Sequence, residues 1–172
     1  MTSAYGTALR RLARRDHSED EMRRALRERG HAQDEIDATV LRLRQERALD
    51  DVSFAARYAR SRMAHAGLGR NRIRRDLRAR GVERQVAENG LRAAADDVSE
   101  AEVLERVARR YWSAHRADEP PRRLQKLWAF LLRRGFPVTL VTERLRHLWP
   151  RLRDALDGLE PAAEPEESRR DA

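Results

Sequence analysis

The sequence predicts an all-α protein, an elongated row of tandem three-helix units with about nine helices in all. Three observations predict it. The phrase Leu26-Arg27-Glu28-Arg29-Gly30 recurs as Leu77-Arg78-Ala79-Arg80-Gly81 and, more loosely, as Leu131-Leu132-Arg133-Arg134-Gly135. Its glycines stand 51 and 54 residues apart, a period that signals stacked copies of one supersecondary unit. Each glycine also has an apolar residue eight places before it (Met22, Ile73, Leu127), four before it (Leu26, Leu77, Leu131) and ten after it (Val40, Leu91, Leu145). The first two offsets share a helical face, and a glycine just past such a stripe reads as a left-handed C-cap. No stretch alternates apolar and polar residues as a strand would.

The first unit, residues 1–50, opens on a short helix carrying Ala8, Leu9, Leu12 and Ala13. Ser18 caps the middle helix, Glu21 completes a capping box, and Gly30 closes the helix. Ile36, Val40 and Leu43 stripe the third helix. The second unit, residues 51–98, follows Leu49-Asp50-Asp51, where an aspartate caps a helix bearing Phe54, Ala55, Tyr58 and Ala59. Gly67-Leu68-Gly69 ends it. Ile73 and Leu77 mark the middle helix, Gly81 stops it, and Val86 and Leu91 mark the next. The third unit, residues 99–157, opens with Ser99 and Glu102 as a second capping box, then Val103, Leu104, Val107 and the pair Tyr111-Trp112, of which one is expected to be exposed. Pro120-Pro121 breaks the chain before a helix lined by Leu124, Leu127, Trp128 and Leu131. Pro137 suits the first turn of the last helix, striped by Val141, Leu145 and Leu148. Residues 158–172 have no apolar period, and an acidic, disordered tail is expected there.

Composition narrows the function. Charged residues make up 38% of the 172-residue chain and aromatics 5%, so each unit has a thin core and must lean on its neighbours. Net charge is +8, nearly all of the positive charge being arginine, since Lys126 is the one lysine. From Asp157 onward six acids face two arginines, which leaves the tail at −4 and the body at +12. A basic body fits a polyanion, either nucleic acid or a protein filament carrying it. The competing account is a solvated, salt-bridged helical surface, because acids are interleaved at helical spacing. The absence of cysteine excludes disulfide and thiol chemistry and fits a reducing cytosol. No signal-peptide pattern occurs, and the longest apolar run, Leu127 to Leu132, is far too short to span a membrane. A cytoplasmic protein with no membrane contact is expected.

The densest basic element is the second unit's middle helix, with Arg70, Arg72, Arg74, Arg75, Arg78 and Arg80 against the single acid Asp76. These six arginines are the candidate contacts to phosphate or to an acidic groove. Phe54 and Tyr58, one turn apart, could offer bases a stacking face, but a pair so placed is more often core. Gly67 and Gly69 have no strand before them and no Gly-Lys-Ser/Thr after them, so a helix–helix turn is favoured over a phosphate loop. The third helices of each unit lack the Asn, Gln and Arg cluster of base readout. The five histidines lack metal-ligand spacing, paired carboxylates such as Asp50-Asp51 sit where caps belong, and no nucleophile elbow occurs. No enzyme activity, cofactor or metal is therefore expected.

Taken together, these residues resemble the RecX family, regulators of the RecA recombinase. The central stretch carries the resemblance: Leu49-Asp50-Asp51, Phe54-Ala55, Tyr58, Arg62, Gly67-Leu68-Gly69, Ile73, Leu77 and Gly81-Val82. Ser18 through Leu26 ahead of Gly30, and Arg134-Gly135-Phe136, agree on the flanks. Order and spacing are diagnostic where no single motif is. The resemblance implies tandem three-helix repeats and binding to RecA along the groove of its filament on single-stranded DNA. It also implies inhibition of strand exchange, ATP hydrolysis and coprotease action in DNA repair and the SOS response. A monomer is expected, with single- or double-stranded DNA as a direct partner besides RecA. A general DNA-binding helical module without a RecA target stands as the alternative.

Overall fold

The computed structural model describes residues 3–158. Among them the first unit holds α1 (Ala4–Leu12), α2 (Glu19–Arg27) and α3 (Gln33–Gln45). The second holds α4 (Asp51–Ala64), α5 (Arg70–Ala79) and α6 (Arg84–Asp97). The third holds α7 (Glu100–Ala114), α8 (Pro120–Arg133) and α9 (Val138–Leu148), followed by a 3-10 turn, Pro150–Leu152, and a short α10 (Arg153–Asp157). No strand occurs among the described residues. The tenth helix adds to the nine expected; it lacks an apolar stripe, and Leu156, with Ala155 beside it, anchors it in the third core. The disorder expected of residues 158–172 concerns, past Gly158, positions outside the described residues.

Burial is divided into three separate cores, one per unit. All nine apolar positions of the repeat are buried, each fully buried aliphatic side chain contributing about 1.5–3 kcal/mol. In the second unit, α4 and α6 meet through small residues. A Cβ on Gly90 would lie 2.7 Å from that of Ala55, and Ala59, Ala87 and Ala94 around it are fully buried. Glycine in a helix interior costs about 1 kcal/mol against alanine; here it permits that approach.

The helix ends follow the residues. Ser18 accepts from Glu21 N at 3.1 Å, and the Glu21 carboxylate takes the Ser18 N–H in return, completing the box. Asp50 caps α4 by accepting from Val52 N and Ser53 N at 2.9 and 3.2 Å. The three middle helices end alike. Gly30, Gly81 and Gly135 adopt φ of +78°, +77° and +87°. The next residue's N–H reaches back five places, to the carbonyls of Leu26, Leu77 and Leu131 respectively. This Schellman closure satisfies carbonyls the helix itself leaves unpaired.

Four details depart from the sequence reading. Ser99 accepts from Glu102 N at 3.4 Å, but the return bond of a capping box is absent among the described hydrogen bonds, so only half the motif forms. Pro120 and Pro121 do not precede α8 but form its first turn, where an unpaired N–H would be wasted anyway. Pro137 is the N-cap of α9 rather than its first residue. Neither Tyr111 nor Trp112 is exposed; both are half-buried, on different faces. Tyr111 meets Phe130 at 4.7 Å between ring centres and Trp112 meets Trp149 at 4.5 Å.

The units join through their middle helices, head to tail. At the first joint the N-terminus of α2 meets the C-terminus of α5: Ser18 Oγ donates to the Arg80 carbonyl, and a Cβ on Gly81 would collide with Asp20. At the second, the N-terminus of α5 meets the C-terminus of α8. Gly69 N donates to Arg134 O at 2.9 Å and Asn71 N to Gly135 O at 3.0 Å. A second device repeats too. The first residue of α4, Asp51, accepts from Glu19 N at 2.9 Å, and the first residue of α7, Glu100, accepts from Arg70 N at 2.7 Å. Each acid thus caps the preceding unit's middle helix, where the helix dipole favours negative charge. At the outer ends these docking groups have no counterpart among the described residues. Nothing approaches Gly30 within 4 Å, and α8 starts with prolines that offer no N–H to dock.

Candidate functional site

The helical turn sorts the six candidate arginines of α5 into two groups. Three reach to three other helices. Arg70 holds Glu100 on α7 through Nε at 2.7 Å. Arg74 pairs with Glu88 on α6 and donates to Asn71 Oδ1 at 2.8 Å. Arg80 pairs with Glu21 on α2, its guanidinium 4.8 Å from the centre of the Tyr58 ring. The remaining three, Arg72, Arg75 and Arg78, lie exposed on the outward side of the helix. Arg72 bonds Asp76 at 3.0 Å along the same helix. Arg75 has no ion-pair partner among the described residues. Two sets of charge that are indistinguishable in sequence therefore differ in role: one braces the joints and the second core, the other faces solvent.

The carboxyls engaged in these contacts shift accordingly. Burial alone would raise the Glu21 carboxyl, but bonds from Arg15, Arg80 and Ser18 outweigh it and hold it below the usual range. The Glu88 carboxyl is lowered by its bond to Arg74. Asp51 runs the other way: burial raises it, only partly offset by the Glu19 N–H.

Of the aromatic pair, Phe54 belongs to the core and Tyr58 is half-buried against it. Phe54 is 4% exposed, and Tyr58 stacks on it at 5.9 Å. Arg62 and Arg80 both lie over the Tyr58 ring, at 4.9 and 4.8 Å from its centre. These rings floor a cleft of about 410 Å³ at the first joint, lined also by Arg15, Asp16, Ser61 and Arg57. Arg57 bonds Asp16 at 2.8 Å and Arg15 bonds Glu21 at 3.0 Å. Acids and guanidiniums thus already occupy the surface a base would need. Gly67 and Gly69 form the turn between α4 and α5, and Ile73, Leu77, Ala55 and Phe136 are buried. Among the described residues no group of three or more His, Asp or Glu could hold a metal ion, and no helix is long and apolar enough to cross a membrane.

Three roles central to this geometry escape the sequence reading: Glu100 as a cap of α5, Glu21 as a partner of Arg80, and Arg134 as a donor across the second joint. A signal exists for the first, since an acid opens the first helix of both later units, at Asp51 and Glu100.

Family models of the first, second and third RecX three-helix domains match residues 4–43, 50–91 and 99–149, unit by unit. The chain belongs to the RecX family. The regulatory protein RecX of Chromohalobacter salexigens is 38% identical over 146 residues, spanning 85% of this chain and 93% of that protein. The regulatory protein RecX of Mannheimia succiniciproducens is 31% identical over 136 residues, spanning 78% and 87%. A crystal structure of RecX from Lactobacillus salivarius shares the fold, with a TM-score of 0.74 at 22% identity, over 84% of this chain and 94% of that one. Asp51, Gly69, Gly81 and Gly135 are residues at which one unit docks on the next.

Proposed function

We propose that this RecX family member is a non-enzymatic regulator of RecA. It lies along the groove of the RecA filament on single-stranded DNA and inhibits recombinase, ATPase and coprotease activities in DNA repair and the SOS response. The units, residues 1–50, 51–98 and 99–157, act as successive contacts along the filament, and several weak contacts on one chain add through effective concentration. The observation that carries this reading is the match of all three units to the family, together with 38% identity to a protein named as regulatory. The outward arginines Arg72, Arg75 and Arg78 supply charge for an acidic groove or for phosphate.

The test is RecA's ATP hydrolysis on single-stranded DNA, titrated with this protein at two DNA concentrations. Inhibition at substoichiometric protein, unmoved by added DNA, is expected. Unchanged hydrolysis at saturating protein would sink the proposal. Inhibition abolished by excess DNA would favour the alternative, a DNA-binding helical module without a RecA target, which the +12 body supports. Arg75→Glu reverses a charge without breaking a described ion pair, so it should weaken inhibition while leaving the thermal midpoint in place.

A further inference from the structure

A cleft of about 690 Å³ opens at the second joint, between α4, α7 and α8, on residues the proposed function leaves unassigned. Its volume lies in the range of small-ligand sites, roughly 300–1,000 Å³. Two features set it apart from the cleft at the first joint. It is lined by Arg106, Arg110 and Arg134 and by no carboxylate. Its wall is also a ladder of planar groups. The Arg134 guanidinium lies 5.0 Å from the centre of the Phe130 ring, Phe130 lies 4.7 Å from Tyr111, and Tyr111 stacks on His115 at 3.8 Å, tilted by 11°. Arg134, Phe130 and Tyr111 are half-buried, while His115 is exposed.

The wall is rigidly held. Arg134 donates to the Ala66 and Gly67 carbonyls at 2.6 and 2.9 Å, and Arg106 donates to the Ala64 carbonyl at 2.8 Å. The Tyr111 carbonyl can only accept, so His115 Nδ1, 2.8 Å away, carries the proton and fixes the ring. Arg110 has no partner among the described residues. The ladder therefore ends in an exposed ring held in place, beside a guanidinium with nothing to hold.

We propose that this cleft is a socket for one nucleotide unit of a single-stranded nucleic acid. The base stacks on the outer end of the ladder at His115, and the phosphodiester lies against Arg110 and Arg106. Planar stacking together with unneutralised guanidiniums is the chemistry of sequence-tolerant single-strand binding. A duplex cannot supply the ligand, because its bases are already stacked on each other. An acidic peptide would match the charge and leave the ladder unused. The socket deepens the regulator reading, giving the protein its own hold on a strand, and it is testable without RecA.

The test is fluorescence anisotropy of the full-length protein with three labelled probes: a short oligothymidylate, an abasic strand of equal length, and a duplex. Oligothymidylate should bind at least about 5-fold tighter than the abasic strand, the lower end of what one stacked base contributes. His115→Ala should remove that preference and leave abasic binding unchanged. Arg110→Ala should weaken both single strands and flatten the salt dependence by about 0.7 in log–log slope. Equal binding of abasic and base-bearing strands by the wild type would overturn the socket. So would retention of the preference in His115→Ala, or displacement of the strand by polyglutamate as readily as by oligothymidylate, which would mark the cleft as an acidic-peptide site. RecA hydrolysis measured on the same variants separates the two proposals. Inhibition that persists after the socket fails leaves the regulator standing, and strand binding without inhibition leaves the socket alone.

Discussion

Replacing Gly69 by alanine asks whether the second joint is as tight as its geometry says. Gly69 has φ of −83°, an ordinary value, so alanine carries no backbone penalty there beyond about 0.5–1 kcal/mol for a poorer N-cap. What changes is space. The new Cβ would lie 2.4 Å from the Gly135 carbonyl carbon and oxygen and from Phe136 N, all main-chain atoms that cannot rotate away. Overpacking of this kind costs about 1–3 kcal/mol. If the joint opens to relieve it, the bonds from Gly69 N and Asn71 N are lost, at about 1 kcal/mol each, with the charge-assisted bonds of Arg134 at about 2 kcal/mol together. Opening forfeits about 4 kcal/mol against about 1–3 kcal/mol of strain, so the joint holds under strain and the expected cost, with the poorer cap, is about 3 kcal/mol. Gly30→Ala is the control: its φ of +78° penalises alanine by about 1 kcal/mol, but no neighbour lies within 4 Å. Urea denaturation read two ways decides the matter. Trp112, Trp128 and Trp149 all belong to the third unit, so their fluorescence follows that unit, while far-ultraviolet circular dichroism follows the whole chain. The two transitions should separate in Gly69→Ala and coincide in the wild type. A Gly69→Ala midpoint matching the wild type, or a cost no larger than that of Gly30→Ala, would refute the reasoning.

Other expectations are smaller. Ser18→Ala removes both the cap of α2 and the hydrogen bond to Arg80 O and should cost about 2 kcal/mol in urea denaturation. Arg47 ends α3 in the left-handed region at φ +56°; being exposed, it should tolerate Arg47→Gly with a gain of about 0.5 kcal/mol, read as a higher thermal midpoint. His17 is buried, its Nε2 has no described partner, and burial lowers its imidazole pKa. The unfolded chain then takes up the proton first, so the stability held by neutral His17 is complete above about pH 6.5 and falls as pH drops toward the lowered folded value. Denaturation midpoints compared at neutral and mildly acidic pH should fall less in His17→Leu than in the wild type; an equal fall would exclude His17 as the cause.

Much of the fold could be read before any coordinates. The offsets of Met22, Leu26 and Val40 from Gly30, and of their counterparts, identify core positions because burial of one helical face obliges the period. Local caps are legible for the same reason: Ser18 with Glu21, and Asp50 with Val52, are neighbours in sequence. The joints are not. Gly30, Gly81 and Gly135 sit in near-identical phrases, yet Gly81 faces Asp20, Gly135 faces Arg72, and Gly30 faces nothing. Only docking decides this. The α5 arginines are similar: composition announces six equal charges, and the angular position of each around the helix, with the acids brought up by other units, divides them. In the ladder from Arg134 to His115 two rungs, Phe130–Arg134 and Tyr111–His115, lie four residues apart, and only the contact of Phe130 with Tyr111, between α8 and α7, has no spacing to announce it.

Each joint sets main-chain amides and carbonyls against a few fixed side chains: an acid, Asp51 or Glu100, that receives the N-terminus of the preceding middle helix, and an arginine, Arg80 or Arg70, beside it. Such a coupling places almost no demand on what the solvent-facing side chains are. Composition on the outer surface is thereby free to drift, arginine for lysine or acid for base, while the pitch from one unit to the next stays constant. A protein assembled this way keeps a fixed ruler and can rewrite the marks on it.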